Sequence, residues 1–197
     1  MFLWFYNLTD RARTLPAEFR DWLADLRYRC DTSRVVVVGV TLSFIASVGF
    51  IVHLVVTGYT QRYAEQARRT DLRCLAENIY HEARGEPYAG RVAVAEVTLN
   101  RVASPRFPHS VCAVVHQLNR SAATSRQVAA FSWTLEDVNG PRGSAWQRAM
   151  AVAEEVYDGE HTPVVPDSHH YHATYVEPRW AQRMSPLVTI GNHVFYP

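Results

Sequence analysis

Lysine is absent from this 197-residue chain, and all twenty basic residues are arginine. The protein therefore has no side-chain amine for a Schiff base and no P-loop lysine for a nucleotide phosphate. An excess of charge is also missing, because nineteen acidic residues leave a formal net charge of +1. Binding of nucleic acid by bulk electrostatics needs a basic surface. We expect neither lysine-dependent chemistry nor a nucleic-acid partner.

Cysteine is rare, with three residues in the whole chain. Three are too few for a disulfide-rich scaffold, and none has the CxxC spacing of a structural zinc site. The content of 48% hydrophobic and 20% charged residues is typical of a folded protein rather than a disordered one. The chain also lacks internal repeats and low-complexity tracts, which excludes repeat architectures.

One long hydrophobic run is present, residues 35–56, and His53 is its only ionisable side chain. A helix of this length spans roughly 33 Å, against a bilayer hydrocarbon core of about 30 Å. A buried core helix rarely has so many apolar positions, and a cleaved signal peptide fits poorly because 34 residues precede the run. The run predicts a single transmembrane signal anchor. Within about 20 residues of the run, four arginines lie on each side, so the positive-inside rule gives no orientation.

This anchor divides the chain into an N-terminal tail 1–34, the span 35–56, a polar linker 57–70 that could continue the helix, and a domain 71–197. The domain is large enough to bury a core. Its apolar spacing predicts a mainly α fold. The expected helices are 71–84, 89–102 and 144–157, followed by a strand or extended segment over 188–196.

Two carboxylates near the end of the first of these helices occupy unusual positions. On a helical wheel Glu82 lies about 60° from Ile79 of the apolar face, and Glu86 about 20° from it if the helix runs that far. A carboxyl group on a dry face has a raised pKa and can donate a proton near neutral pH. Glu82 is therefore a candidate catalytic acid. Alternatively, the helix ends near Arg84 and Glu86 caps the next one.

Several sequence blocks follow one another in a characteristic order. They are EARGEP at 82–87, GRVAVAEVTLNRV at 90–102, Phe107-Pro108, Phe131-Ser132, Tyr171-His172-Ala173, Pro178-x-Trp180 and IGNHVFY at 190–196. Together they resemble the spore-cortex-lytic (SleB-type) cell wall hydrolase family over essentially all of 71–196. The chain departs from the family pattern at Glu96, where Gln or an apolar residue is usual, and around Phe131, where many relatives have flanking cysteines.

The resemblance implies a lysozyme-like domain that cleaves peptidoglycan between N-acetylmuramic acid and N-acetylglucosamine, chiefly as a lytic transglycosylase with one catalytic glutamate. Glu82 matches that glutamate. Glu82 and Glu86, on one helix face, would not flank a sugar ring as two-carboxylate glycosidases require, which also favours a single acid. Because sugar sites use aromatic faces and a few polar groups, we expect a substrate groove. Its candidate residues are Glu86, Phe131, Trp133, Tyr171, His172 and Trp180, and the tryptophans could instead belong to the core.

Peptidoglycan lies outside the cytoplasmic membrane, so we expect residues 57–197 outside and 1–34 inside. Cys74 and Cys112 would then meet an oxidising space and Cys30 would stay reduced. Sequence leaves a Cys74–Cys112 bridge open, since it does not supply the Cα separation.

We expect no metal and no cofactor. The HExxH motif of zinc proteases fails because position 85 is glycine, although a zinc site built from the C-terminal histidines is an alternative. The alternatives for the whole protein are a non-catalytic, membrane-anchored wall-binding or morphogenesis protein and a phage endolysin with a releasable anchor. Sequence gives no oligomeric state.

Overall fold

The computed structural model describes residues 16–120, 126–136 and 138–197. The chain divides into two compact units, Met1–Gln61 and Arg62–Pro197. Residues 1–15 of the expected cytoplasmic tail lie outside the described residues.

Helix α1 (Ala17–Ala83) begins in the first unit and ends in the second. The sequence has no proline between Pro16 and Pro87, so every residue of α1 keeps the backbone N–H that a helix needs. Within the first unit, the side chains of 35–56 are all exposed. Among the described helices, α1 is the one long and apolar enough to cross a membrane, judged by length and composition. The segment 57–70, expected as a linker, is helical, and the helix predicted over 71–84 is the last part of α1.

The second unit adds short helices and two small antiparallel sheets to the end of α1. Its described elements are α2 (Tyr88–Ala103), α3 (Val111–Val115), β1 (Leu118–Arg120), β2 (Gln127–Ala129), a 3₁₀ helix (Ser132–Leu135), α4 (Gly143–Tyr157), β3 (His170–Ala173), a 3₁₀ helix (Ala181–Arg183), β4 (Val188–Ile190) and β5 (His193–Tyr196). Strand β1 pairs with β2, and β5 lies between β3 and β4. The mainly α prediction is confirmed, and the extended tail is the β4–β5 hairpin.

The core forms where the end of α1 packs with α2 and α4. Leu75 and Ile79 of α1 are fully buried in one cluster with Val92 of α2 and Val152 of α4. Full burial of such a side chain stabilises the fold by about 1.5–3 kcal/mol. A second, smaller cluster joins the opposite face of α2 to β5 through Val97 and Phe195. Helix α2 therefore connects the helical part of the unit to its sheet.

Helix α1 ends at Ala83, and this end separates the two acids singled out by the sequence. The backbone N–H of Glu86 donates to the carbonyl of Ala83 at 3.0 Å, and Pro87 is the N-cap of α2. Glu82 therefore lies on the last turn of α1, whereas Glu86 lies in the connecting turn. The wheel position of Glu86 assumed a longer helix and does not apply. The alternative is confirmed for the helix end near Arg84, but it is wrong for the cap, since the N-cap of α2 is Pro87 and not Glu86.

A disulfide joins Cys74 of α1 to Cys112 of α3, with Cα atoms 5.2 Å apart. This separation lies within the range that a disulfide needs. The bond ties the buried end of α1 to the short helix that follows α2. Cys30 is free and exposed.

Candidate active site

A cleft of about 520 Å³ lies beside the last turn of α1. Its walls also come from the segment around the first 3₁₀ helix and from β3. Five residues singled out by the sequence are on its lining: Glu82, Phe131, Trp133, Tyr171 and His172. The fold therefore gathers most of the predicted site from three separate segments.

Glu82 lies half-buried on this cleft, where the Tyr171 hydroxyl donates a hydrogen bond to its Oε2 at 3.1 Å. Burial raises the pKa of the Glu82 carboxyl above its ordinary value. The Tyr171 hydrogen bond and the charge of Arg101 act against this rise in pKa, and the nearby carboxylate of Glu136 adds to it. The result is a carboxyl group that keeps its proton to a higher pH than an ordinary glutamate, as a general acid requires.

Strand β3 fixes the position of Tyr171. Tyr171 pairs in register with Phe195 of the central strand β5, and Phe195 is fully buried. The Tyr171 ring also packs edge-on against His193, with centroids 5.1 Å apart. Burial raises the pKa of the Tyr171 hydroxyl well above 10, so Tyr171 is a neutral hydrogen-bond donor. The tyrosine is thus held rigidly in front of Glu82.

Arg101 supplies a buried positive charge next to Glu82. Its Nε donates to the carbonyl of His169 at 2.8 Å, and its guanidinium lies over the Phe131 ring, 5.2 Å from the centroid. Burial lowers the pKa of Arg101. In the sequence, Arg101 lies within the block GRVAVAEVTLNRV at 90–102. Phe131 is itself buried and forms the floor of the cleft beneath this arginine.

Trp133 forms an aromatic wall that two α1 residues hold in place. Its indole N–H donates to Asn78 Oδ1 at 3.1 Å, and its ring stacks on His81 with centroids 4.4 Å apart. Asn78 is fully buried and donates in turn to Thr98 at 3.1 Å. Sequence reasoning did not select Asn78 or His81. The available signal was a polar amide within the apolar spacing of α1, because a buried amide needs partners.

His172 and Trp180 occupy different places. His172 lines the cleft, and its Nε2 is 2.9 Å from the hydroxyl of Tyr196. Trp180 lies outside the cleft lining and contacts His172 and Tyr196 edge-on, with centroids 5.6 and 5.3 Å away. Trp180 therefore contacts the His172–Tyr196 pair without lining the cleft, and its expected part in the groove stays a prediction.

Glu86 is buried and is not on the described lining of the cleft, and its Oε1 lies 4.0 Å from Nδ1 of His193, which is on that lining. Its carboxylate accepts hydrogen bonds from the backbone N–H and the side-chain amide of Asn192, both at 3.0 Å. Asn192 belongs to the β4–β5 turn, next to Gly191, whose φ is +58°. In this position Glu86 anchors the hairpin turn. Its expected role in substrate binding stays a prediction.

Glu136 is an exposed carboxylate on the cleft that sequence reasoning did not single out. It follows the first 3₁₀ helix, and its charge contributes to the raised pKa of Glu82. Apart from Glu82, it is the acidic side chain on the described lining. No sequence motif marks it.

The C-terminal histidines have other contacts in the described part of the chain. The His169 ring stacks on the Phe107 ring. The pKa of His170 is lowered to about 4 by its burial and by the charge of Arg101. Among the described residues there is no group of three or more His, Cys, Asp or Glu side chains placed to hold a metal ion. The alternative zinc site thus has no ligand set in these residues.

Comparison with known proteins bears on what this cleft is. Residues 85–196 match the family model described as cell wall hydrolase, and Glu82 lies just before the matched segment. A spore cortex-lytic enzyme of Bacillus subtilis is 57% identical over 47 residues, which are 24% of this chain and 15% of that enzyme. A spore cortex-lytic enzyme of Halalkalibacterium halodurans is 53% identical over 47 residues, 24% of this chain and 14% of that enzyme. The matched segment is thus a small part of these curated relatives.

Among solved structures, the catalytic domain of the germination-specific lytic transglycosylase SleB from Bacillus anthracis has a similar fold. The TM-score is 0.51 with 28% sequence identity, and the match covers 64% of this chain and 93% of that domain. The family match extends over more than half of the present chain. With the ordered blocks and the shared fold, the chain belongs to the cell wall hydrolase family, in its SleB-type branch.

Proposed function

We propose that the protein is a membrane-anchored peptidoglycan lytic enzyme that cleaves the bond between N-acetylmuramic acid and N-acetylglucosamine, with Glu82 as its single acid and base. The observation that carries the proposal is the state of Glu82, a half-buried carboxyl group on the cleft with a raised pKa and a hydrogen bond from Tyr171. Family membership and the likeness to a lytic transglycosylase domain support the class of substrate.

In the first step, protonated Glu82 donates its proton to the glycosidic oxygen while the bond from that oxygen to the muramyl C1 breaks. N-acetylglucosamine leaves with a free 4-hydroxyl group. In the second step, the Glu82 carboxylate takes the proton of the muramyl 6-hydroxyl, whose oxygen bonds to C1 and closes a 1,6-anhydro ring. Glu82 is protonated again and no water is consumed. Between the steps, the Tyr171 hydroxyl donates to the carboxylate and stabilises its charge.

Glu136 defines the competing mechanism. Ordinary glycosidases use two carboxyl groups that flank the scissile bond. Glu86 is unsuited to this role because Asn192 engages both of its oxygens. Glu136 lies on the cleft and would be the second carboxylate of such a hydrolase. The single-acid scheme is favoured because Glu82 lies in the EARGEP motif of the family. Glu136, in contrast, is exposed to solvent and lies outside the sequence blocks that resemble the family.

The test is digestion of purified sacculi by the full-length protein in mild detergent, followed by mass analysis of the soluble muropeptides. We expect products that end in 1,6-anhydro-muramic acid. Glu82→Gln should lower turnover by about 10²–10⁴-fold, the usual contribution of a general acid, with an unchanged or higher Tm. Glu136→Gln should still give anhydro products. Glu77→Gln is the matched control, since Glu77 lies on the same helix, pairs with Arg73 at 3.0 Å and is not on the cleft.

Two other outcomes of this digestion would contradict the proposal. Reducing-end muramic acid as the sole product, lost in Glu136→Gln, would replace the single-acid scheme with a two-carboxylate hydrolase. Absence of any muropeptide release by the wild type would favour the non-catalytic wall-binding protein.

The proposal also includes the membrane topology, with 1–34 inside, 35–56 in the cytoplasmic membrane, 57–70 as a helical linker and 71–197 outside. It is supported by the exposed apolar side chains of 35–56 and by a disulfide that suits an oxidising space. Protease added to spheroplasts should digest residues 71–197. Their protection would contradict the topology, and their release from the membrane fraction over time would favour the endolysin alternative.

A further inference from the structure

The cleft beside Glu82 continues into a second cavity. A second cavity of about 440 Å³ has His81, Arg84 and Val138 in common with the main cleft. Its other described lining residues are Tyr80, Asn139 and Arg142. We call these six residues the arginine arm. Because three residues line both cavities, a polymer bound beside Glu82 has the arm directly next to it.

The arginine arm carries two guanidinium groups and, in its described lining, no carboxylate. Arg84 and Arg142 are both exposed, and among the described residues no ion pair engages either of them. The Arg84 guanidinium lies 5.6 Å from the centroid of the Tyr80 ring, which holds the group in place while its N–H donors stay accessible. The Asn139 amide adds a further donor and acceptor.

We propose that the arginine arm binds a carboxylate of the peptide stem of peptidoglycan. This rests on the proposed function, because a glycan strand must lie in the cleft. Muramic acid residues carry their stem peptides sideways from the strand, and these stems end in free carboxylates. A guanidinium pairs with a carboxylate through two parallel hydrogen bonds, a geometry that neutral sugar hydroxyls do not offer. The arm therefore makes the enzyme selective for strands that bear charged stems.

The test compares two forms of the same sacculi, both freed of phosphate-bearing wall polymers. One form keeps its stem carboxylates, and in the other they are converted to amides with carbodiimide and ammonia. Binding of the full-length protein is measured by co-sedimentation in a Glu82→Gln background, and digestion is measured with Glu82 intact. Arg142→Gln and Arg84→Gln remove one guanidinium each. Arg148→Gln is the matched control, because Arg148 is an exposed arginine of α4 that lines neither cavity.

We expect tighter binding and faster digestion of the unmodified sacculi. Arg142→Gln or Arg84→Gln should lower this preference by about tenfold, the effect of one charge-assisted pair, and Arg148→Gln should leave it as in the wild type. Equal binding of both forms, or a preference that survives both substitutions, overturns the inference. If carboxylate- and arginine-dependent binding is found without digestion by the wild type, the arm is supported and the proposed catalytic function fails.

Discussion

Tyr171 donates a hydrogen bond to Glu82 across 3.1 Å, although the two residues are 89 positions apart in the chain. One lies on the last turn of α1 and the other on β3. Burial raises the pKa of Glu82, and this hydrogen bond lowers it again. The pair therefore sets the pH range in which Glu82 is a protonated acid.

Tyr171→Phe should move the alkaline limb of the activity profile to higher pH. A general acid works in its protonated form, so activity falls as pH rises through the pKa of Glu82. Phenylalanine keeps the ring that packs on Phe195 but removes the hydroxyl that lowers the pKa of Glu82. That pKa should therefore rise further. The measurement is muropeptide release against pH for the wild type and the variant. An unmoved limb, or one that moves to lower pH, would contradict this account of Glu82.

Trp133→Ala should reduce turnover much more than Trp180→Ala. Trp133 forms a wall of the cleft, whereas Trp180 lies behind His172 and is 39% exposed. Loss of an aromatic face from a sugar site should cost up to about tenfold in rate, on the scale of one aromatic contact. Turnover per folded molecule is measured alongside Tm, so that loss of fold is not read as loss of function. Equal activity losses in the two variants would indicate that Trp180 also belongs to the substrate groove.

Gly191→Ala should destabilise the second unit more than Gly159→Ala does. Both glycines have positive φ, +58° and +73°, so either alanine is strained by about 1–2 kcal/mol. A Cβ at Gly159 meets no atom within 4 Å, whereas one at Gly191 would lie 1.8 Å from Oε2 of Glu86. Glu86 would then have to leave Asn192, at a further cost of about 1–3 kcal/mol. Thermal unfolding followed by circular dichroism gives the comparison, and equal losses of Tm would remove the anchoring role of Glu86.

These relationships show what the sequence could and could not predict. The apolar spacing of α1 was enough to place Glu82 beside a dry face, because local periodicity determines one helix face. The same reasoning failed for Glu86. Its helical-wheel position assumed that the helix continues to residue 86, whereas the helix ends at Ala83 and a turn precedes Pro87.

The contacts between distant segments were beyond such reasoning. The hydrogen bond from Trp133 to Asn78 and the position of Glu136 on the cleft depend on how the segment after β2 packs on α1. Periodicity within one element carries no information on that packing. The ordered motif blocks identified the family, but they did not distinguish a wall residue such as Trp133 from a supporting residue such as Trp180.

The disulfide should be a large part of the stability of the second unit. Cys74 and Cys112 are separated by 38 positions in the sequence, and the chain-entropy relation gives roughly 3–4 kcal/mol for such a closure. Removal of both thiols in Cys74→Ala/Cys112→Ala should lower the free energy of unfolding by this amount, measured in denaturant. Cys30→Ser is the matched control, because Cys30 is free and exposed and its substitution should leave stability unchanged.

The redox state of the three cysteines can be determined directly in full-length protein purified without reductant. A maleimide added under denaturing, non-reducing conditions should label Cys30 alone, and labelling after reduction should reach all three cysteines. Mass analysis distinguishes the two products. Labelling of Cys74 without reduction would show that the bond is absent from the mature protein, and the stability loss expected for the double variant should then also be absent.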